Sequence, residues 1–308
     1  MIFSSAVDPV TSLMRWGIFT FALCCTACGF NRTYLHPTTI PINAKGATLS
    51  SKWDTTRVQF QGDSRQPVFY SGKGDTLKRN FTVESTWFTT SGGHKLNGWM
   101  IRPTGMKPDI TLLHFHGNAG CLLSQYQSLV PLVEKGFQVF AFDYSGFGMS
   151  EGEATREQVL LDGRAAVDYV RSRPDVNGTR LVLYGQSLGG HLAAVVGPEK
   201  STSLDALVIE GAFSSHDDIA AEKMGFIGRL LVREQYSGKA AIGQWTKRLL
   251  VIHSTEDEVI PFRLGRELFD HAHEPKTFFE IRHPHICGPE FYADEIAQRI
   301  RAMVNQAN

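Results

Sequence analysis

The stretch Leu181-Val-Leu-Tyr-Gly185-Gln-Ser187-Leu-Gly189-Gly190-His191 sets four apolar residues in front of a serine boxed by glycines, and the apolar run Leu188 to Val196 follows it. A strand that turns abruptly into a helix needs small residues around the turn, because the apical residue is held in a strained conformation that presents its side chain outward. A hydroxyl held there is placed to attack an electrophilic carbon. A serine that merely opens a helix would instead serve as an N-cap. The strand in front, the helix-like run behind and the extra glycines favour the first reading, which makes Ser187 a candidate nucleophile.

A nucleophilic serine needs a base and a group to orient that base. Downstream, Arg248-Leu-Leu-Val-Ile-His253 reads as a buried strand with the exit loop Ser254-Thr-Glu256-Asp257-Glu258-Val-Ile-Pro261, and Pro261 suits the first turn of the next helix. Lys276-Thr-Phe-Phe-Glu-Ile281 reads as a further strand and runs into Arg282-His283-Pro284-His285. Serine, acid and histidine thus follow in that order, each at the end of an apolar strand, unlike the orders used on the chymotrypsin and subtilisin scaffolds.

Four motifs in sequence now stand together: His114-Phe-His116-Gly117-Asn118-Ala-Gly120, Asp143-Tyr-Ser-Gly146-Phe-Gly148-Met-Ser150, Gly185-Gln-Ser187-Leu-Gly189-Gly190, and the acid and histidine loops. From about Phe81 to the C-terminus the chain resembles the α/β-hydrolase superfamily, and within it the compact serine hydrolases that include abhydrolase-domain depalmitoylases and lysophospholipid or monoacylglycerol lipases. The resemblance implies Ser187 as nucleophile, Asp257 as the triad acid, His285 as general base, and the backbone N–H groups of Asn118 and Leu188 as the oxyanion hole. It implies no metal and no cofactor. Two positions depart from the family pattern: Ser254 stands where glycine is usual, and Ser145 where arginine is frequent.

The chemistry also follows from the residues. His285 would accept the Ser187 proton and return it to the leaving group, Asp257 would fix the imidazole tautomer, and donors at the start of the following helix would meet the developing oxyanion. Glu256 and Glu258 are rivals for the orienting acid, with longer side chains expected to face solvent, and His283 rivals His285. The pair His114 and His116 has metal-like spacing, but a glycine-rich turn follows it and no further ligand does, so both read as loop histidines. His191 reads as structural.

A chain of 308 residues, 42% hydrophobic and with 31 acidic and 31 basic residues, can build a large core and has no charge excess to attract nucleic acid. Expected strands are Val83 to Thr89, Lys95 to Ile101, Ile110 to Phe115, Phe137 to Phe142, Arg180 to Tyr184, Ala206 to Ile209, Arg248 to His253 and Lys276 to Ile281. The first two form a hairpin across Ser91-Gly92-Gly93. Helical spacing over Thr155 to Ser172, stopped by Pro174, and helices at Pro261 to Ala272 and Glu290 to Asn305 complete the alternation. The fold expected is α/β, an eight-stranded mostly parallel sheet with helices on both faces and a short cap.

The run Trp16 to Cys28 is nearly uncharged, too short for an ordinary spanning helix of ~20 residues and the right size for the core of a signal peptide. It ends Leu23-Cys24-Cys25-Thr26-Ala27-Cys28 and resembles a bacterial lipoprotein signal, with Cys28 at the lipid-bearing position. Synthesis starting at Met14 would supply a basic Met14-Arg15 start. The expectation is an exported lipoprotein, membrane-anchored through Cys28 and facing the periplasm or cell exterior, with a plain export signal or an uncleaved hydrophobic tail dipping into a membrane as rivals; residues 1–28 are the signal, 29–80 a tether that then packs irregularly, and 81–308 the hydrolase domain. In the resembled fold the loops bearing Cys121 and Cys287 meet near the active site, so either a disulfide or two separate thiols is open.

Between Phe213 and Arg248 the family inserts its cap, and here Ser214 to Lys247 supplies only a small lid. Its apolar series Ile219, Met224, Phe226, Ile227, Leu230 and Leu231 either lines an acyl pocket or packs the lid down. A short lid favours an accessible site and a small or lipid-derived ester or thioester with a short or medium acyl chain. An aminopeptidase of the same fold would need an acidic cluster for the substrate amine, with Glu151, Glu153 and Glu210 as candidates. A non-catalytic binding protein on the scaffold would require the three triad residues to lie apart.

Overall fold

The structure is a computed structural model that describes residues 34–50, 55–232 and 234–305. The signal-like run, Met14 and Cys28 lie outside the described residues. In chain order the strands are β1 (His36–Pro37), β2 (Gly46–Ser50), β3 (Thr55–Gln61), β4 (Gln66–Ser71), β5 (Phe81–Thr89), β6 (Lys95–Pro103), β7 (Ile110–Phe115), β8 (Ala119–Gly120), β9 (Gln138–Phe142), β10 (Arg180–Gln186), β11 (Ala206–Glu210), β12 (Leu249–Ser254) and β13 (Lys276–Ile281). The helices are α1 (Leu122–Gln125), α2 (Val130–Glu134), α3 (Arg156–Ser172), α4 (Leu188–Glu199), α5 (His216–Leu231), α6 (Gly238–Ile242), α7 (Phe262–His271), α8 (Gly288–Phe291) and α9 (Ala293–Asn305).

Eight strands form one sheet in the order β13-β12-β11-β10-β7-β9-β6-β5. Every pair from β13 to β9 is parallel, and the β5–β6 hairpin closes the other edge antiparallel. Because side chains alternate along a strand, neighbours divide between the two faces. Leu113, Phe140, Leu183 and Leu207 join one buried cluster, while Leu112, Val139, Val182 and Val208 join the other. A sheet covered on both faces explains why these strands read as unbroken apolar runs.

Helix boundaries follow local chemistry. Thr155 caps α3 by accepting Gln158 N–H, and the helix stops at Ser172 because Arg173, ahead of Pro174, takes an extended backbone. The single helix expected over Glu290 to Asn305 is two pieces, α8 and α9, since Tyr292 leaves the helical region at φ −128°. The extension is also more ordered than its composition implied. Instead of packing irregularly, β2, β3 and β4 form an antiparallel sheet whose Val58, Phe60 and Phe69 are buried against the domain. No helix of the described residues is long and apolar enough to cross a membrane.

Candidate active site

Ser187 sits at the turn between β10 and α4 with φ +56° and ψ −118°, a backbone that L-residues rarely adopt. Two glycines make the turn sterically feasible. A Cβ on Gly185 would come within 2.3 Å of the Gly189 carbonyl oxygen, and one on Gly189 within 1.9 Å of the Phe115 carbonyl oxygen. Ser187 N–H donates to the Glu210 carbonyl at the end of β11, which fixes the turn beside the neighbouring strand.

Asp257 and His285 come together from the loops after β12 and β13. The His285 Nδ1–H donates to Asp257 Oδ2 at 2.7 Å, the tautomer following from a carboxylate that can only accept. Asp257 Oδ1 accepts the N–H groups of Val259 and Ile260 at 2.9 and 2.8 Å. Burial opposes the charge on Asp257, but the bond and charge of His285 and these two N–H groups outweigh it, holding the carboxyl below its usual range. The His285 ring lies over Gly211, where an added Cβ would meet Cε1 at 3.2 Å, directly after the residue that binds Ser187 N–H. Ser187 Oγ and His285 are not hydrogen-bonded to each other in this structure.

The rivals have other partners. Glu258 accepts the His285 backbone N–H rather than its ring. His283 stacks on Phe291 with ring centroids 3.7 Å apart. His114 bonds Gln186 Oε1, and His116 the Gly117 carbonyl; burial pushes them down to about 3 and about 4, so both are neutral. Glu210 accepts from Tyr184 Oη, Gln186 Nε2 and Gly288 N, bracing the chain just after His285, and Glu151 accepts Lys95 N–H. None of Glu151, Glu153 and Glu210 lines the cavity described next. Cys121 and Cys287 are free thiols.

Ser187, Leu188 and Asn118 line one cavity of about 300 Å³. Among the described residues no acceptor engages the backbone N–H of Asn118 or of Leu188, so both stand free beside the serine. The cavity walls include Phe213, Ile219, Ala220, Val232, Val259 and Ile260; Arg156 and Lys223 are basic, and none of the described lining residues is acidic. Tyr34 and His36 of the extension complete the wall. Tyr34 packs edge-on against Phe213 and His216, and its carbonyl accepts Asn118 Nδ2–H at 2.6 Å. Thr38 N–H bonds the Gly120 carbonyl at 2.7 Å, so β1 pairs in parallel with β8, which continues the Asn118 loop.

Sequence reading did not assign Tyr34, Arg156, His216 or Lys223 to the site. Tyr34 carries no local signal, since only tertiary contact brings it there. His216 had one, a histidine after a strand end and beside Ser215, whose hydroxyl caps α5 by accepting Asp218 N–H. His191, His216 and Glu234 bring potential metal-ligating atoms within 4.8 Å of one another. His191 Nδ1 already bonds the Phe213 carbonyl and His216 Nδ1 faces Glu234 and the Tyr236 carbonyl, contacts that hold the floor of the cap together.

A family model described as "Serine aminopeptidase, S33" matches residues 106–239. YfhR of Escherichia coli (strain K12) is 38% identical over 206 residues, covering 65% of this chain and 72% of its own. The alpha/beta hydrolase domain-containing protein WAV2 of Arabidopsis thaliana is 27% identical over 197 residues, covering 59% and 64%. Among solved structures, the Pyrococcus furiosus esterase Pf2001 superposes with a TM-score of 0.62 at 19% identity over 72% of this chain and 90% of its own. Est1E from Butyrivibrio proteoclasticus, with ferulic acid bound, gives 0.61 at 16% identity over 72% and 100%.

Proposed function

The chain belongs to the α/β-hydrolase family and is a hydrolase, and from that premise we propose that it cleaves carboxylic esters or thioesters through an acyl-enzyme formed on Ser187. The observation that carries the reading is the strained Ser187 turn opening into a cavity that also holds two free backbone N–H groups, with the Asp257–His285 pair on the adjacent loops. When substrate fills the cavity, Ser187 Oγ adds to the carbonyl carbon and its proton passes to His285 Nε2. The oxyanion meets the N–H groups of Asn118 and Leu188, each worth ~3 kcal/mol in such sites. His285 then protonates the departing alcohol or thiol, and water repeats the sequence to release the acid. Apo enzymes often lack the serine–histidine bond until substrate binds.

The walls favour an acyl group of short or medium length. Among the described residues a substrate amine would find two basic side chains and no carboxylate in this cavity, which weighs against the aminopeptidase reading; the His285 ring, bonded to Asp257 and lying over Gly211 next to the residue that binds Ser187 N–H, weighs against a non-catalytic scaffold. The expected behaviour is turnover of p-nitrophenyl esters that peaks at a short or medium chain, exceeding that of aminoacyl amides, with acyl-cysteine thioesters also cleaved. Ser187→Ala should lower ester turnover by at least a thousandfold and abolish fluorophosphonate labelling while circular dichroism stays unchanged. Labelling of that variant at the original rate, or amides cut faster than esters, would sink the proposal.

A further inference from the structure

The lid series neither lines the cavity throughout nor packs the lid down. Ile219 is buried and forms cavity wall, but Met224 is 44% exposed, Phe226 74%, Ile227 62% and Leu230 63%. The division falls at Gly225, whose φ +63° and ψ −156° break α5 in two in a region open to glycine alone. A straight helix would separate residues eight apart by about 12 Å. Gly228 instead lies against Ala220, where an added Cβ would come within 2.1 Å of the carbonyl oxygen. The second half of α5 therefore folds back on the first. Arg229 binds Asp218 across the bend at 2.7 Å and locks it. Phe226 and Ile227 stand at the start of the returning half, held out into solvent by a fixed backbone.

We infer that this bend is a lipid-docking projection that seats the mouth of the cavity on a phospholipid bilayer. Three observations name the bilayer as occupant. Lys223 to Leu230 carries four large exposed apolar side chains and no acid, with Lys223 as a cation beside them and Arg229 paired to Asp218, a composition suited to entering anionic headgroups. The projection lies at the cavity: Ile219, Ala220 and Lys223 line it, and Lys223 Nζ bonds the carbonyl of half-exposed Val259 on the opposite rim. The 33 residues preceding Tyr34 contain the apolar run Trp16 to Cys28, and Tyr34 lies in the wall of the same cavity. An N-terminal segment held at a membrane would therefore join the folded domain at Tyr34, in the wall of the cavity beside which the bend protrudes. Docking by both would feed lipid-borne substrate to the site without a long diffusion path.

Docking is read without turnover, so its failure and that of the proposed hydrolysis are separable. The full chain is incubated with vesicles of phosphatidylethanolamine and phosphatidylglycerol, and hydrogen–deuterium exchange is followed over the peptide spanning residues 222–232. The expected result is at least tenfold slower exchange there on vesicle binding. F226S/I227S/L230S should lose that protection even in the fraction of the variant that stays on the vesicle. Vesicle partitioning of the variant should weaken on the order of 100-fold if the projection contributes as three partly inserted side chains. Its turnover of a water-soluble short-chain ester should be unchanged, which reports an intact fold. Bound wild-type chain with no protection of this peptide would overturn the inference. Protection that instead follows protein concentration in the absence of vesicles would assign the face to a second copy and overturn it equally.

Discussion

Ser254 joins the two loops that carry the acid and the histidine. Its Oγ accepts the His283 and Glu256 N–H groups at 3.0 Å each and donates to the His283 carbonyl at 2.5 Å, in a site only 2% exposed. Where glycine is usual in the resembled family, this chain therefore uses a hydroxyl to hold Asp257 and His285 in register. Ser254→Ala should lower kcat about tenfold and leave KM nearly unchanged, since the side chain does not reach the cavity, and should cost ~1–3 kcal/mol of stability from unmade hydrogen bonds. Steady-state kinetics with urea unfolding would measure both; a change confined to KM would count against this positioning role. Ser187, Asp257 and His285 were legible because each follows an apolar strand and so must emerge at one end of a parallel sheet. The bond made by Ser254 was not, because it depends on how two loops 29 residues apart in sequence meet.

At the scale of elements, the extension braces the loop proposed to hold the oxyanion. The β1–β8 pairing, the Thr38–Gly120 bond and the Tyr34 carbonyl on Asn118 together hold the loop of Asn118, which lines the cavity with Ser187. Thr38→Pro removes the N–H that Gly120 accepts. A donor in such a hole is worth ~3 kcal/mol, so partial misplacement should lower kcat roughly tenfold to a hundredfold while the melting temperature falls by only a few degrees. Thermal melts beside ester kinetics would test this, and unaltered kcat would show that the loop holds itself. The extension reads as tether because Thr, Ser, Gly and Lys dominate it, yet the alternation Thr56, Val58, Phe60 already carried the period of a half-buried strand. The central sheet was easier to read, since strands buried on both faces announce themselves as apolar runs, whereas β1 and β8, two residues each, leave no pattern.

Over the whole molecule, carboxyls buried beneath the sheet's C-terminal edge couple the loops to pH. Asp143, after β9, accepts Leu122 N–H at the start of α1 and so ties the end of the Asn118 loop to the sheet; Gly148 packs so closely on it that any Cβ would meet Oδ2 at 1.8 Å. Burial pushes the Asp143 carboxyl up to about 7 from 3.8, against the backbone N–H groups of Leu122 and Met149. The folded chain then holds a proton that the unfolded chain has released, so this group's contribution to stability is fully present below about 3.8 and is lost as the pH rises through about 7. Asp257 acts oppositely: with its folded value depressed, its contribution is present above the unfolded value and is lost only as the pH falls through the lowered one. Between roughly pH 5 and 7 Asp257 is therefore silent and Asp143 titrates, at a slope of at most ~1.4 kcal/mol per pH unit. Asp143→Asn keeps an acceptor for Leu122 and removes the titration. Urea unfolding across this range should show wild-type stability declining with pH relative to the variant, whatever the variant's absolute stability, and parallel profiles for the two would mean that Asp143 stays charged in the fold.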